Sequence, residues 1–225
     1  GRITHLQPMC FNEGWPFIGS EQNGDGIGEP VKEWHLPAEG QPCYEIAQSD
    51  DFKGEKLGLQ WQWQANPKEV YYSLKGDGGL RLNCLSNDTR DNLLWYAPNA
   101  LTQIPQHRAL SVVTKIRLQG EKEGDMAAVG MIGHRYAYLG LQKTEEGNQL
   151  VLYSGVVTNK EYEGEAEETV EAVCPYDQDT VYLRMELFPN KVYRFAWSSD
   201  GIRFTDIGGN QPLFRATWTG AKLCL

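Results

Sequence analysis

Val181-Tyr182-Leu183-Arg184-Met185-Glu186-Leu187 alternates apolar and polar side chains, and Pro189-Asn190 then turns the chain into Val192-Tyr193-Arg194-Phe195-Ala196-Trp197. Period two puts Val181, Leu183, Met185 and Leu187 on one face of a strand and Tyr182, Arg184 and Glu186 on the other. Ser199-Asp200-Gly201 turns the chain again into Ile202-Arg203-Phe204-Thr205. An Asp-Gly between alternating runs is a strong hairpin signal, because both residues tolerate the positive φ of a tight turn. The stretch reads as a three-stranded meander, and it sets the class of the chain.

Outward from it the pattern stays β. Val112-Val113-Thr114-Lys115-Ile116-Arg117-Leu118 predicts a half-buried strand, and further strands are expected over 126–132, 137–142 and 149–157. The run 161–171 carries six glutamates and reads as a solvated loop or an exposed edge. No amphipathic helix of three turns and no internal repeat is evident. Many short strands at regular spacing imply an all-β fold, a two-sheet antiparallel β-sandwich of jelly-roll type. The 24 glycines, 7 Trp, 11 Tyr and 7 Phe among 225 residues agree with a turn-rich β chain.

Charge and cysteine usage narrow the function classes. The net charge is −9 with both signs interspersed. This balance disfavours nucleic acid, whose phosphates draw clustered Lys and Arg, and it fits a neutral ligand such as a sugar. No apolar run approaches the roughly 18 residues of a membrane span, so no membrane partner is expected. Cys10, Cys43, Cys84, Cys174 and Cys224 form no CxxC pair. Isolated buried thiols are expected rather than a zinc site.

The stretch Pro37-Ala38-Glu39-Gly40-Gln41-Pro42 reads as a linker, giving segments 1–37 and 38–225. The first segment holds strand-like runs over 2–9 and 14–18, with Cys10-Phe11-Asn12-Glu13 as the turn between them. A two-stranded ribbon cannot bury enough apolar surface to stand alone, so it must pack on something. In the second segment, Trp61 and Trp63 are spaced for one strand face, with Gln60, Gln62 and Gln64 on the other. Such an indole pair can stack on sugar rings or fill a sandwich core; the area a Trp buries and the turn that follows favour the core.

At the start of the chain, Gly1-Arg2-Ile3-Thr4-His5-Leu6-Gln7-Pro8 and Asn12-Glu13-Gly14-Trp15-Pro16-Phe17-Ile18-Gly19 resemble the end of the five-bladed β-propeller of glycoside hydrolase family 43. Asn23-Gly24-Asp25-Gly26-Ile27-Gly28-Glu29-Pro30-Val31 resembles the exit from that propeller. The remainder is similar to the concanavalin A-like C-terminal domain of β-xylosidases and α-L-arabinofuranosidases of the family. Asp51-Phe52, Leu57-Gly58-Leu59-Gln60-Trp61-Gln62-Trp63, Asn66-Pro67, Ala97-Pro98-Asn99-Ala100-Leu101-Thr102-Gln103 and Trp218-Thr219-Gly220-Ala221-Lys222 carry that likeness.

The resemblance implies a short β-ribbon from an incomplete propeller followed by a concanavalin A-like sandwich. It implies the C-terminal accessory domain of an enzyme that releases xylose or arabinose from plant polysaccharide, steadying the catalytic propeller and helping to close its pocket. The implied partners are that propeller and xylan- or arabinan-derived oligosaccharides. The three catalytic carboxylates of the family sit on earlier blades, so no catalytic residue is assigned here and the chain alone is expected to be inactive. Arg2 matches an active-site arginine that approaches the substrate and one of those carboxylates, and Trp218 matches an aromatic position near the last strand that helps to close the pocket. No cofactor is required, structural calcium is compatible by analogy, and an extracellular or periplasmic setting is favoured.

An autonomous carbohydrate-binding module is the alternative, with Trp61, Trp63 or Trp95 exposed on one face; a lectin-like protein without an enzyme relative is a third reading. Asn23-Gly24-Asp25-Gly26 fails the calcium-loop spacing and reads as a tight turn. Asn87-Asp88-Thr89 matches an N-glycosylation acceptor.

Overall fold

The computed structural model describes residues 4–35, 38, 40, 45–76, 78–85, 93–158, 165–214, 216 and 220–225. The chain divides into two units, Gly1–Glu45 and Ile46–Leu225. In the first, β1 (Met9–Asn12) pairs antiparallel with β2 (Trp15–Ile18), Asn12 lying opposite Trp15. The turn is therefore Glu13-Gly14, not the expected Cys10 to Glu13. Both residues have positive φ, 50° and 85°, the geometry of a two-residue hairpin turn whose twist suits the strands. Glycine accepts that geometry without strain, which leaves Cys10, Phe11 and Asn12 in the strand.

The expected strand over 2–9 is cut back as well. Residues 4–8 lie in no strand, although the Pro8 carbonyl accepts from the Gly19 N–H at 2.8 Å, and residues 2 and 3 lie outside the described residues. Gln7 instead serves as a side-chain tie: its amide donates to the Val31 carbonyl at 3.1 Å and accepts from the Val31 N–H at 2.8 Å. In the glycine-rich exit, Asn23 Oδ1 accepts from Asp25 N and Asp25 Oδ1 from Ile27 N, the local bonds of tight turns.

The second unit holds β3 (Gln62–Trp63), β4 (Tyr72–Leu74), β5 (Leu80–Leu82), β6 (Leu101–Gln103), β7 (Leu110–Arg117), β8 (Met126–Ile132), β9 (Arg135–Thr144), β10 (Gly147–Thr158), β11 (Glu165–Pro175), β12 (Thr180–Leu187), β13 (Val192–Ser198), β14 (Thr205–Pro212) and β15 (Lys222–Cys224). A seven-stranded sheet runs β11-β10-β9-β8-β15-β6-β3 and a four-stranded sheet runs β14-β13-β12-β7, all pairs antiparallel. Among the described residues no helix is longer than the 3-10 turns Glu69–Tyr71 and Leu94–Tyr96. The all-β sandwich expected from periodicity is the observed fold.

Its core lies between the sheets. Val129, Met131, Leu139, Leu141, Leu150 and Leu152 of the large sheet meet Val181, Leu183, Met185, Leu187, Phe195 and Ile207 of the small one. On β12 the burial alternates without a break, buried at Val181, Leu183, Met185 and Leu187 and half-buried between them. The pleat dictates this, since successive side chains of a strand point to opposite faces.

Two expectations are corrected and one is resolved. Ile202, Arg203 and Phe204 lie in a loop rather than a strand, because the Asp200 carboxylate accepts from the backbone N–H of Arg203 at 2.9 Å and of Ile202 at 2.8 Å. Those two bonds, with one from the Ser198 hydroxyl, hold the Asp200 pKa at about 2, and β14 starts only at Thr205. Of the two readings of the acidic run, the exposed edge is the one observed from residue 165 on, where it forms edge strand β11; residues 161–164 lie outside the described residues. The cysteines are not uniformly buried. Cys10, on the uncovered ribbon, and Cys84 are exposed, Cys174 is half-buried, and Cys224 is buried with its thiol pushed up to about 12 by burial. Cys43 and the acceptor sequence Asn87-Asp88-Thr89 lie outside the described residues.

Leu183 is fully buried between Thr114 and Trp197 of the flanking strands. Leu183→Ala is expected to cost about 2–5 kcal/mol in urea unfolding, against about 0.5 kcal/mol or less for Glu146→Ala on the exposed turn before β10.

Candidate functional site

Of the sequence-predicted site residues, Arg2 and Trp218 lie outside the described residues. Trp61 and Trp63 are both half-buried, and only Trp63 is in a strand. Trp61 donates from Nε1 to Asp50 Oδ2 at 2.8 Å and stacks on Phe52, centroids 5.5 Å apart. The other Asp50 oxygen accepts from the Phe52 N–H at 2.8 Å, holding Phe52 at a φ of 54°. That angle is uncommon for a bulky side chain and costs about 1–3 kcal/mol unless its surroundings enforce it; here the carboxylate and the indole do so together. Trp63 has different partners, the rings of Tyr71 at 5.6 Å and Tyr72 at 5.1 Å. Among the described residues no ring contact joins the two indoles. Each sits in its own aromatic cluster, in line with the packing reading.

The outer face of the seven-stranded sheet carries a feature that the sequence reading missed. Residues opposite one another in register share a face, so Tyr136, Tyr138 and Tyr153 stand on the side away from the core. Their rings stack in sequence: Trp95 on Tyr136 at 6.4 Å, Tyr136 on Tyr138 at 6.4 Å, Tyr138 on Tyr153 at 5.2 Å. Gly155 makes this geometry attainable, since a Cβ there would come within 2.1 Å of the Tyr136 ring. Glu168 ties the ladder together. It accepts from the Tyr136 hydroxyl at 2.8 Å, the Tyr138 hydroxyl at 2.5 Å and the Leu94 N–H at 2.9 Å, so it fastens the 3-10 turn to the sheet. This glutamate is not the solvated charge expected throughout the acidic run. Its only sequence signal is that 168 and the two tyrosines lie on strands; nothing local shows that the strands are paired through β10.

Burial first, and the adjacent Glu168 charge second, push the Tyr136 and Tyr138 phenols far above their usual range. Chemically the ladder is closed. Tyr136 is 2% and Tyr138 5% exposed, so neither ring face is free to stack on a sugar.

A second feature is an open groove of about 330 Å³ where the rims of the two sheets meet, lined by Arg135, Ser154, Glu167, Thr169, Glu171 and Gln211, with Tyr193 at its base. Its surface is mixed hydrogen-bond donors and acceptors. Among the described residues no group of three or more His, Cys, Asp or Glu side chains is placed to hold a metal ion.

Residues 49–225 match the family of β-xylosidase C-terminal concanavalin A-like domains. A β-xylosidase of Formosa agariphila is 30% identical over the whole of this chain and 39% of its own length. A putative β-xylosidase of Xylanibacter ruminicola is 32% identical over 59% of this chain and 25% of its own. The chain thus spans well under half the length of these curated relatives. Among solved structures, a bifunctional GH43-CE protein of Bacteroides eggerthii superposes with a TM-score of 0.69 at 26% identity, covering 98% of this chain and 28% of that one. An engineered GH43 glycoside hydrolase with endo-xylanase and exo-arabinofuranosidase activity shares the fold, with a TM-score of 0.74 at 23% identity over 97% of this chain and 44% of that one.

Because their folded pKa values lie above the unfolded value of about 10, Tyr136 and Tyr138 add stability that is complete below pH 10 and is lost as pH climbs beyond it. Alkaline titration followed at 295 nm should show tyrosines that ionise only as the fold is lost. Glu168→Gln removes the acceptor of Tyr138 and is expected to cost about 1–3 kcal/mol at neutral pH, read by urea unfolding.

Proposed function

The chain belongs to the family of β-xylosidase C-terminal concanavalin A-like domains, and on that premise we propose that it is the accessory part of a pentose-releasing glycosidase. In this reading the sandwich stabilises a catalytic propeller and helps to close its pocket, and xylose or arabinose is the sugar released from plant polysaccharide.

One observation supports this reading more than any other. The ribbon of the first unit carries exposed apolar side chains on both faces. Trp15 is 78% exposed, Phe11 67%, and Met9 and Ile18 58% each; by register Met9, Phe11 and Ile18 share one face and Phe17 and Trp15 the other. Soluble proteins seldom leave such contiguous apolar surface open unless it meets another body. A ribbon of two four-residue strands cannot supply its own core. The end of a propeller blade is a strand environment of the right kind, and the resemblance of residues 1–31 to the close of a family 43 propeller names it. The domain division at 37/38 belongs to the same proposal. Arg2 is then the residue that reaches the substrate and a catalytic carboxylate, and Trp218 the one that narrows the pocket.

The carbohydrate-binding-module alternative, in its form of exposed aromatic platforms, is not favoured by the contacts described above. Trp61, Trp63 and Trp95 each have a ring neighbour and are half-buried.

The test is turnover of 4-nitrophenyl β-D-xyloside and 4-nitrophenyl α-L-arabinofuranoside. The 225 residues alone are expected to release no nitrophenol, and activity is expected when they are joined to a family 43 propeller. In the joined enzyme Arg2→Ala should lower kcat/KM by about 10²–10³, and Trp218→Ala by about tenfold. Hydrolysis by the isolated chain would overturn the reading.

A further inference from the structure

We propose that the rim groove between β10–β11 and β13–β14 is a binding site for a neutral mono- or disaccharide presenting adjacent hydroxyls. The proposal goes beyond the accessory role, since the groove is made by the sandwich alone.

The groove exists because two strands break their pairing at the same place. Leu152 is opposite Ala172, yet the next residue, Tyr153, is opposite Val170, so Glu171 is an extra residue in β11. On the other sheet Tyr193 is opposite Gln211 while Phe195 is opposite Ile207, so β14 carries an insertion over 208–210. Gly208 makes that insertion, with a φ of 67° and a hypothetical Cβ only 2.3 Å from Leu152 Cδ2. Bulges re-aim side chains, and they gather beside functional sites. Up to Leu152 the facing surfaces are apolar, with Leu150, Leu152, Ala172 and Cys174. Past the bulge the same side of the sheet presents Ser154 paired with Thr169, and Val156 paired with Glu167. The core stops there and a polar cleft begins.

A second observation concerns Gln211. Gln211 is 8% exposed and lines the groove. The other buried polar side chains of the unit have partners: Thr102 Oγ1 donates to the Gln62 carbonyl, Gln103 to the Gln48 carbonyl and Ser198 to Asp200. Among the described residues the Gln211 amide makes no side-chain hydrogen bond. Its two donors and its acceptor are therefore available at the wall of a cavity that water or a ligand can enter.

The lining selects the ligand. Glu167 and Glu171 outnumber Arg135, which disfavours anions; carboxylates accept strongly from hydroxyl donors. Ser154 already donates to Glu171, which orients that carboxylate. Gln211 and Arg135 supply donors for ring and hydroxyl oxygens. The guanidinium of Arg135 lies 5.2 Å over the Phe214 ring, which fixes it at the mouth. A volume of about 330 Å³ is at the small end of ligand pockets, about 300–1,000 Å³. A long polysaccharide is not accommodated whole, but its terminal unit is.

The test is a heteronuclear NMR titration of the 225-residue chain with xylobiose and, separately, L-arabinose. Saturable shifts centred on the amides of Ser154, Gly155, Thr169 and Gln211 are expected for at least one sugar, with a dissociation constant on the order of 1 mM. Gln211→Leu should weaken binding by about tenfold with an unchanged melting temperature, while Trp61→Ala leaves it intact. The proposal is overturned if neither sugar gives saturable shifts, if Gln211→Leu binds as the parent does, or if the shifts centre on Trp61 and Trp63. Calcium chloride alone shifting the same amides, with no further change on adding sugar, would overturn the ligand class. None of these outcomes bears on turnover by the joined enzyme, so the accessory reading stands or falls separately.

Discussion

Two sheets share one core here, and that is attainable only while each paired strand keeps a single apolar face turned inward. β12 shows how tightly this binds the rest. A slip of one residue would exchange Val181, Leu183, Met185 and Leu187 for Tyr182, Arg184 and Glu186, and would put a guanidinium and a carboxylate into the core. With the register held, those charges land on the outer face of the small sheet. There Glu186 takes Arg194 at 2.9 Å, and Asp206 lies 3.5 Å from the same guanidinium. Half-exposed pairs of this kind contribute little to stability by themselves; what they do is make the wrong register expensive.

The same constraint explains what happens where it lapses. Without the bulge at Glu171, strict alternation along β11 would send Glu168 inward, towards the leucines, and Thr169 outward. With it, Glu168 reaches Tyr136 and Tyr138 on the outer face while Thr169 and Glu167 turn to the groove. One inserted residue therefore serves both features of this end of the sandwich, the fastening of the 3-10 turn and the polar lining of the cleft. It also leaves glutamates along an edge strand, where charge discourages pairing with a second molecule.

Most of the sandwich was legible in the sequence because its strands are half-buried and alternate. β7, β8, β9, β10, β12 and β13 fall where periodicity places them, to within a few residues. The failures share one cause, a backbone group captured by something other than a strand neighbour. Asp200 takes the amides that Ile202 and Arg203 would have offered a ladder, Gln7 takes the backbone of Val31, and Glu13-Gly14 closes a turn two residues long. The polar sites were illegible for a different reason. Glu168 meets Tyr136 by strand pairing through β10, and Ser154 and Gln211 share a groove because two sheets pack face to face and bulge there; neither arrangement leaves a local signature. Trp61 and Trp63 stood out by residue type, yet type alone did not tell a stacking platform from a packed ring.

The two units also differ in what they need. The second has a continuous core drawn from both of its sheets, and a body of this kind can fold without help. The first has two short strands and side chains such as Trp15 and Phe11 left in water. Two short strands with exposed apolar side chains do not supply a core of their own, whereas the sandwich draws its core and its rim groove from its own two sheets. The two proposals, sugar binding at the groove and service to a catalytic partner, are therefore separable. The first rests on Gln211 and the bulges that aim it, the second on a ribbon that has no interior of its own.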